Sequence, residues 1–205
     1  MTKVDMNDTT RYEWEDAIEA FEAADRLQPP PAGAIVFVGS SSIRLWKTLA
    51  EDFAEFPVVN RGFGGSRMSD SLRAVDRIVI PCRPRQVVVY AGDNDIAFGG
   101  TPQRVADSFR QFVGKIHDAL PEARVTYMAM KACASRWAKA ELFREGNRLV
   151  EAFTKTDARL SFADTFSPLL GADGKPDDAF FQEDRLHLNA QGYAVWRRVV
   201  RQHLR

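Results

Sequence analysis

Four short segments of the chain carry groups suited to chemistry. One reads Asp184-Arg185-Leu186-His187. A carboxylate and an imidazole three residues apart can lie on the same side of one turn. There Asp184 can hold the His187 ring and stabilise the imidazolium, as the orienter and base of a nucleophilic triad do. A second segment reads Gly39-Ser40-Ser41-Ser42-Ile43. The glycine permits a tight exit from a strand, and three hydroxyls follow where a helix should begin. Unpaired N–H groups at a helix N-terminus favour negative charge. A serine here can serve as a nucleophile whose own N–H helps to hold an oxyanion; the plainer alternative is that Ser40 to Ser42 only cap the helix. The third segment, Asn60-Arg61-Gly62-Phe63-Gly64-Gly65-Ser66, is glycine-rich, so its backbone amides can approach a ligand closely, or it is an ordinary turn. It does not match the dinucleotide-binding fingerprint. The fourth, Ala91-Gly92-Asp93-Asn94-Asp95, offers Asn94 as a donor of two side-chain hydrogen bonds. Asp93 and Asp95 raise a metal site as an alternative, without histidines nearby to complete it.

The elements that must position these segments follow from periodicity. Residues 34–38 form a continuous apolar run, as expected of a strand buried on both faces of a parallel sheet. Further strands are expected at 57–60, 86–90, 124–130 and, more weakly, 159–163. Helical patterns lie between them, at 43–50, 69–80, 102–119 and 138–156, and a last one covers 190–204 with Asn189 as its N-cap. Thr101-Pro102 supplies a cap and a proline at the first helical position, and Val105, Phe109, Phe112, Val113 and Ile116 make one apolar face. Before the first strand, Trp14, Ile18 and Phe21 make a helical stripe over 11–26, opposite an acidic face. Pro29-Pro30-Pro31 ends it as a stiff connector. Strand and helix alternate, which implies right-handed crossovers and a mainly parallel sheet covered on both faces. Ligands of such folds bind outside the carboxyl ends of the strands. The second, third and fourth segments each follow an expected strand.

Composition narrows the function. With 205 residues, 45% apolar and 27% charged, the chain has material for one compact α/β domain and is not a disordered one. Basic and acidic side chains both number 28, so the basic surplus of a nucleic-acid binder is absent. Cys82 and Cys133 cannot build a disulfide framework and are expected as buried, reduced thiols. His117 and His203 fall inside amphipathic helices and are expected to be structural or solvent-facing. The opening residues 1–5 lack the apolar centre of a signal peptide, and no apolar run reaches the ~20 residues of a membrane helix. The expectation is a soluble, cytoplasmic protein.

In their joint order the four segments resemble the blocks of the SGNH-hydrolase superfamily, the GDSL-type esterases and lipases. They span residues 39–187. Gly39-Ser40-Ser41 resembles the Gly-Asp-Ser block, with Ser40 in place of its usual Asp, and the resemblance makes Ser41 the nucleophile. The glycine loop resembles the second block, which makes Gly65 an oxyanion donor. Gly92-Asp93-Asn94-Asp95 resembles the Gly-x-Asn-Asp block, with Asn94 as the second donor, and Asp184 and His187 match the final block. The resemblance implies a three-layer α/β/α sandwich with a five-stranded parallel sheet, flavodoxin-like in layout. Residues 1–33 would be a helix and connector packed on a hydrolase domain at 34–205. It implies an esterase with the triad Ser41, Asp184 and His187, an oxyanion hole of Ser41, Gly65 and Asn94, and no metal or organic cofactor. The expected substrate is a small ester, acetyl first, with a carbohydrate as one candidate alcohol. Ile43, Phe63 and Arg67 are the expected pocket residues, Arg67 alternatively forming a surface salt bridge. Lysophospholipase, thioesterase and acyltransferase activities are the enzymatic alternatives, and a flavodoxin-like binding domain for phosphate or flavin is the non-enzymatic one. The assembly state is left open.

Overall fold

The computed structural model describes residues 12–205. The signal-peptide reading of residues 1–5 and the first residue of the expected 11–26 helix lie outside the described residues. Five strands form one parallel sheet: Ile35–Gly39 (β1), Val58–Gly62 (β2), Gln86–Tyr90 (β3), Arg124–Met128 (β4) and Leu160–Ala163 (β5). Their order is β2-β1-β3-β4-β5, so the chain steps to one side after β1 and to the other after β2. The described helices are Glu15–Leu27 (α1), Ser41–Arg44 (α2), Leu49–Asp52 (α3), Met68–Ile78 (α4), Asp93–Ala97 (α5), Pro102–Ala119 (α6), Ala140–Thr154 (α7) and Ala190–Arg201 (α8). None of them is long and apolar enough to cross a membrane.

The apolar runs of β1 and β3 are buried throughout because both faces of the sheet are covered. Side chains alternate between the faces. Val36, Val38, Val87 and Val89 point into a core that includes Ile18, Val75, Phe109 and Phe143 from α1, α4, α6 and α7. Ile35, Phe37, Val88 and Tyr90 point into the other, with Trp46, Phe53 and Trp196. That second face is covered by α8 and by large aromatic rings: Phe37 stacks on Phe53 at 5.5 Å, and Tyr90 meets Trp196 of α8 at 4.8 Å.

The expected helix at 43–50 is instead two short pieces, α2 and α3. The chain turns between them so that Trp46 enters the second core, its indole N–H donating to Asp52 at 2.6 Å. The final helix ends at Arg201 rather than 204, although Leu204 is still buried. α5 has too few residues for a periodic signal and was not expected. α1 lies against α4, and part of its acidic face is paired: Arg77 binds Glu15 at 2.7 Å and Glu22 at 2.6 Å, and Asp25 binds Arg61. Both cysteines are free and buried.

The junction between β1 and α2 is the tightest point of the sheet. Gly39 has φ 140°, and a Cβ on it would stand 1.9 Å from the Tyr90 carbonyl oxygen. Gly39→Ala should therefore cost about 3 kcal/mol, from overpacking together with positive-φ strain. In a chain of this size that is a fall of about 6–12 °C in the thermal midpoint. An unchanged midpoint would mean that β1 and β3 can separate freely at their carboxyl ends.

Candidate active site

Ser41 is the first residue of α2. Its Oγ lies 3.0 Å from His187 Nε2, and His187 Nδ1 lies 2.5 Å from Asp184 Oδ2. The other Asp184 oxygen accepts the backbone N–H groups of Leu186 and His187, each at 2.9 Å. Arg185 turns through the left-handed region there (φ 53°), its guanidinium fixed on Asp178. Burial raises the Asp184 pKa, but those two amides and the imidazole outweigh it and bring it down to about 2. The carboxylate is thus ionised wherever the imidazole can act as a base.

The three neighbouring serines are now distinct. Ser40 occupies the N-cap position, yet its side chain caps nothing; its Oγ is buried and without a hydrogen-bond partner among the described residues. Ser42 is buried and accepts from Lys131 Nζ at 3.2 Å. Ser41 is half-exposed and alone faces the imidazole. The capping alternative for the cluster does not hold for these side chains.

The glycine loop closes against α2. Asn60 Nδ2 donates to the Ile43 carbonyl at 2.7 Å, and its Oδ1 accepts Gly62 N–H. A Cβ on Gly62 would stand 2.2 Å from the Arg44 nitrogen, so only glycine allows this approach. Gly65 is exposed, with φ 80°. Neither its N–H nor that of Ser41 has a hydrogen-bond acceptor among the described residues. Asn94, in α5, donates one Nδ2 hydrogen to the Ser66 carbonyl at 2.9 Å and accepts at Oδ1 from Arg136 at 2.9 Å. One Nδ2 hydrogen remains. Donors from three strand ends therefore flank the segment that carries Ser41.

Asp93 and Asp95 do not form a ligand pair. Asp93 is turned inward, 3.2 Å from Lys131 Nζ, 3.4 Å from Arg136 Nη1 and 2.9 Å from the Tyr90 hydroxyl. Asp95 instead accepts the Met68 N–H, and burial raises its pKa. No group of three metal-ligating side chains occurs among the described residues. His117 rests on the Ala123 carbonyl, and burial lowers the His203 pKa; neither meets the site.

Two expected pocket residues are elsewhere. Ile43 is wholly inside the second core, and Phe63 inside the first, where it packs against Trp14. The apolar side chain beside each motif is needed to anchor the loop, which leaves none of it for a ligand. Arg67 is exposed, as a pocket residue would be, and stacks over Phe98 at 5.3 Å; among the described residues it forms no salt bridge. Lys131, Arg136 and Trp14 were not foreseen as neighbours of the site. Lys131 follows an apolar strand, and a lysine there signals burial only weakly. Arg136 belongs to an irregular turn with no sequence signal.

Fold and strand-end chemistry define an α/β/α protein with a Ser-His-Asp chain at the point where the strand order reverses. The sequence matches the model of the GDSL-like Lipase/Acylhydrolase family over residues 37–195, and the chain belongs to that family of ester-hydrolysing enzymes, within the SGNH superfamily. This sets aside the non-enzymatic binding-domain alternative. No curated protein matches the sequence. Solved structures share the fold. One, from Streptococcus pneumonia and named for platelet activating factor, has 17% identity and a TM-score of 0.84, with 94% of this chain and 93% of the other covered. A GDSL-like lipase from Bacteroides thetaiotaomicron has 18% identity and a TM-score of 0.76, covering 91% and 96%. A catalytic mutant of an acetylxylan esterase from Geobacillus stearothermophilus has 15% identity and a TM-score of 0.66, covering 83% and 94%.

The buried pair beside the site has a testable pH signature. Burial raises the Asp93 pKa, but the Lys131 and Arg136 charges and the Tyr90 hydroxyl outweigh it and hold the carboxyl below its usual range. Such a group stabilises the fold above the unfolded-state pKa of ~3.9, and the contribution is lost as pH falls through the lower folded value. Lys131→Met removes the nearest cation and leaves Asp93 paired with Arg136 alone, so it should cost about 1–3 kcal/mol at pH 7, the worth of a lost charged hydrogen bond. With one cation fewer Asp93 titrates higher, so the deficit should shrink on acidification. Urea unfolding of both proteins at pH 7 and pH 4 measures this; an equal deficit at the two values would show that the lost attraction to Asp93 is not its cause.

Proposed function

We propose that the protein is a serine esterase acting on short-chain, acetyl-type esters. The observation that carries this reading is the unbroken chain from Ser41 Oγ through His187 to the ionised Asp184, at 3.0 and 2.5 Å. His187 Nε2 takes the Ser41 proton as Oγ attacks the ester carbonyl carbon. The negative oxygen that forms is held by the Ser41 and Gly65 N–H groups and the free Nδ2 hydrogen of Asn94. The imidazolium then returns the proton to the departing alkoxide, and the alcohol leaves an acyl-Ser41. A water molecule, deprotonated by His187, attacks the acyl carbon; collapse releases the acid and restores the serine. Asp184 keeps the proton of the resting imidazole on Nδ1 and stabilises the imidazolium without taking its proton. Each oxyanion donor is worth ~10²–10³ in turnover.

The preference for small acyl groups rests on likeness to proteins of the same fold. An acetylxylan esterase among the proteins of the same fold agrees with this choice.

Turnover of p-nitrophenyl esters of increasing chain length tests both parts. Acetyl and butyryl esters should be cleaved at least ~10-fold faster than dodecanoyl ester, a discrimination of ~1.4 kcal/mol. Ser41→Ala should abolish the activity, and an organophosphonate should label Ser41 and not Ser40 or Ser42. Rates that rise with chain length would replace the short-ester reading by a lipase-like one, and label on another serine would move the nucleophile.

A further inference from the structure

Resting on the esterase reading, we infer that Trp14 and Arg136 are positioning residues that orient and polarise the two oxyanion donors outside the nucleophile. Both donors are amide N–H groups, and the carbonyl oxygen of each amide is engaged by one dedicated donor.

The Gly65 N–H belongs to the same peptide unit as the Gly64 carbonyl. A trans peptide is planar, with its N–H and C=O pointing in opposite directions. Trp14 Nε1 donates to that carbonyl at 2.7 Å. Holding the oxygen therefore fixes the direction of the N–H. The need is real here, because a peptide between two glycines rotates more freely than any other. The indole is itself held, edge-on against the buried Phe63 at 6.3 Å. Trp14 also precedes residues 37–195, the part of the chain that the family model matches. The oxyanion loop is thus steadied by a segment outside that part.

Asn94 repeats the arrangement with a side-chain amide. Arg136 Nη2 donates to Oδ1 at 2.9 Å, while the Ser66 carbonyl takes one Nδ2 hydrogen. The amide cannot flip without losing both bonds, so the second Nδ2 hydrogen has one direction. A charged donor on the carbonyl oxygen also draws electron density from the nitrogen and strengthens its N–H as a donor. Arg136 is anchored by Asp93, 3.4 Å from its Nη1, and that nitrogen makes no hydrogen bond among the described residues. Among the described residues its side-chain hydrogen bond is the one to Asn94.

The test uses the full chain and p-nitrophenyl acetate, with kcat, KM and thermal midpoint read for each variant. Trp14→Phe keeps a ring and removes the N–H; Arg136→Met keeps the length and removes the donors; Arg136→Lys keeps a charge and one donor. The two donor deletions should each lower kcat about 5- to 10-fold, the worth of one hydrogen bond, with KM changed less than ~2-fold. Arg136→Lys should recover part of the loss, and it carries the comparison if Arg136→Met does not fold. In an Asn94→Ala background Arg136→Met should cost less than ~2-fold more, because the amide it serves is gone. Trp14→Phe should keep its full effect there, because it acts through Gly65. Losses of Arg136→Met and Asn94→Ala that multiply would overturn the role of Arg136, as would a loss confined to KM. Unchanged kcat in Trp14→Phe would overturn that of Trp14. A Ser41→Ala protein as active as the wild type would instead overturn the esterase reading itself.

Discussion

Because nothing projects from Gly39, the chain can leave β1 hard against β3 and turn at once into a helix. The Ser40 N–H reaches the Tyr90 carbonyl at 3.0 Å, and the Phe63 N–H reaches the Gly39 carbonyl at 2.8 Å. Those two hydrogen bonds tie the exits of three adjacent strands into one block. Gly39 is in register with Gly62 on one side and Tyr90 on the other. The serine after the first strand, the glycine loop after the second and the asparagine after the third are then neighbours by construction. Sheet registry sets their separation, and hydrogen bonds from Asn60 to the Ile43 carbonyl and from Asn94 to the Ser66 carbonyl hold the loops at it. A loop-built site would have to fix the same spacing with side chains alone, at a cost in conformational entropy.

Beneath that block lies an arrangement unusual for a protein interior. Lys131 and Asp93 are both almost fully buried, and Arg136 adds a second cation beside the same carboxylate. A buried ion pair is weak support for stability in itself, since desolvation offsets most of the attraction. Here the charges sum to +1 beside the amides that would face a developing oxyanion. In a low-dielectric surrounding such a surplus acts strongly on nearby charge. The Ser42 hydroxyl and the Tyr90 hydroxyl share the Lys131 ammonium, which satisfies its hydrogens without neutralising it.

Much of this was legible in the residues. β1 and β3 announce themselves as short apolar runs, and α6 starts at Pro102 as its cap and proline predict. The Asp184-x-x-His187 spacing yields the observed pair because a single turn is a local object, with its hydrogen bonds inside four residues. What sequence could not provide is tertiary. Ile43 and Phe63 read as pocket residues because they flank the motifs, yet the flanking apolar positions are those a tight loop must bury. Trp14 reads correctly as part of a helical stripe, but its ring also has a polar edge, and only the packing of α1 on α4 brings that edge to Gly64. Lys131 and Arg136 are recruited from beyond β4, with no periodicity or motif to mark them.

The remaining problem for the fold is to bring His187 to Ser41 across 146 residues of chain and hold it there, although the turn that carries it is partly exposed. The turn itself does not do this alone. Gln182 clasps its far end, accepting no freedom at His187: its N–H donates to the His187 carbonyl at 2.8 Å and its side chain to the Leu188 carbonyl at 2.9 Å. Leu188 is buried in the second core, and Asn189 caps α8 through two backbone N–H groups. From α8 the Tyr193 hydroxyl then donates to the Ser42 carbonyl at 2.9 Å, one residue from Ser41. The helix that follows His187 is thus bonded to the helix that begins with Ser41. Tyr193 also packs against Trp46 and Trp196 at 5.2 and 6.1 Å. The aromatic core on this face of the sheet therefore has two tasks. It packs α8 against the sheet, and it sets the separation of Ser41 and His187.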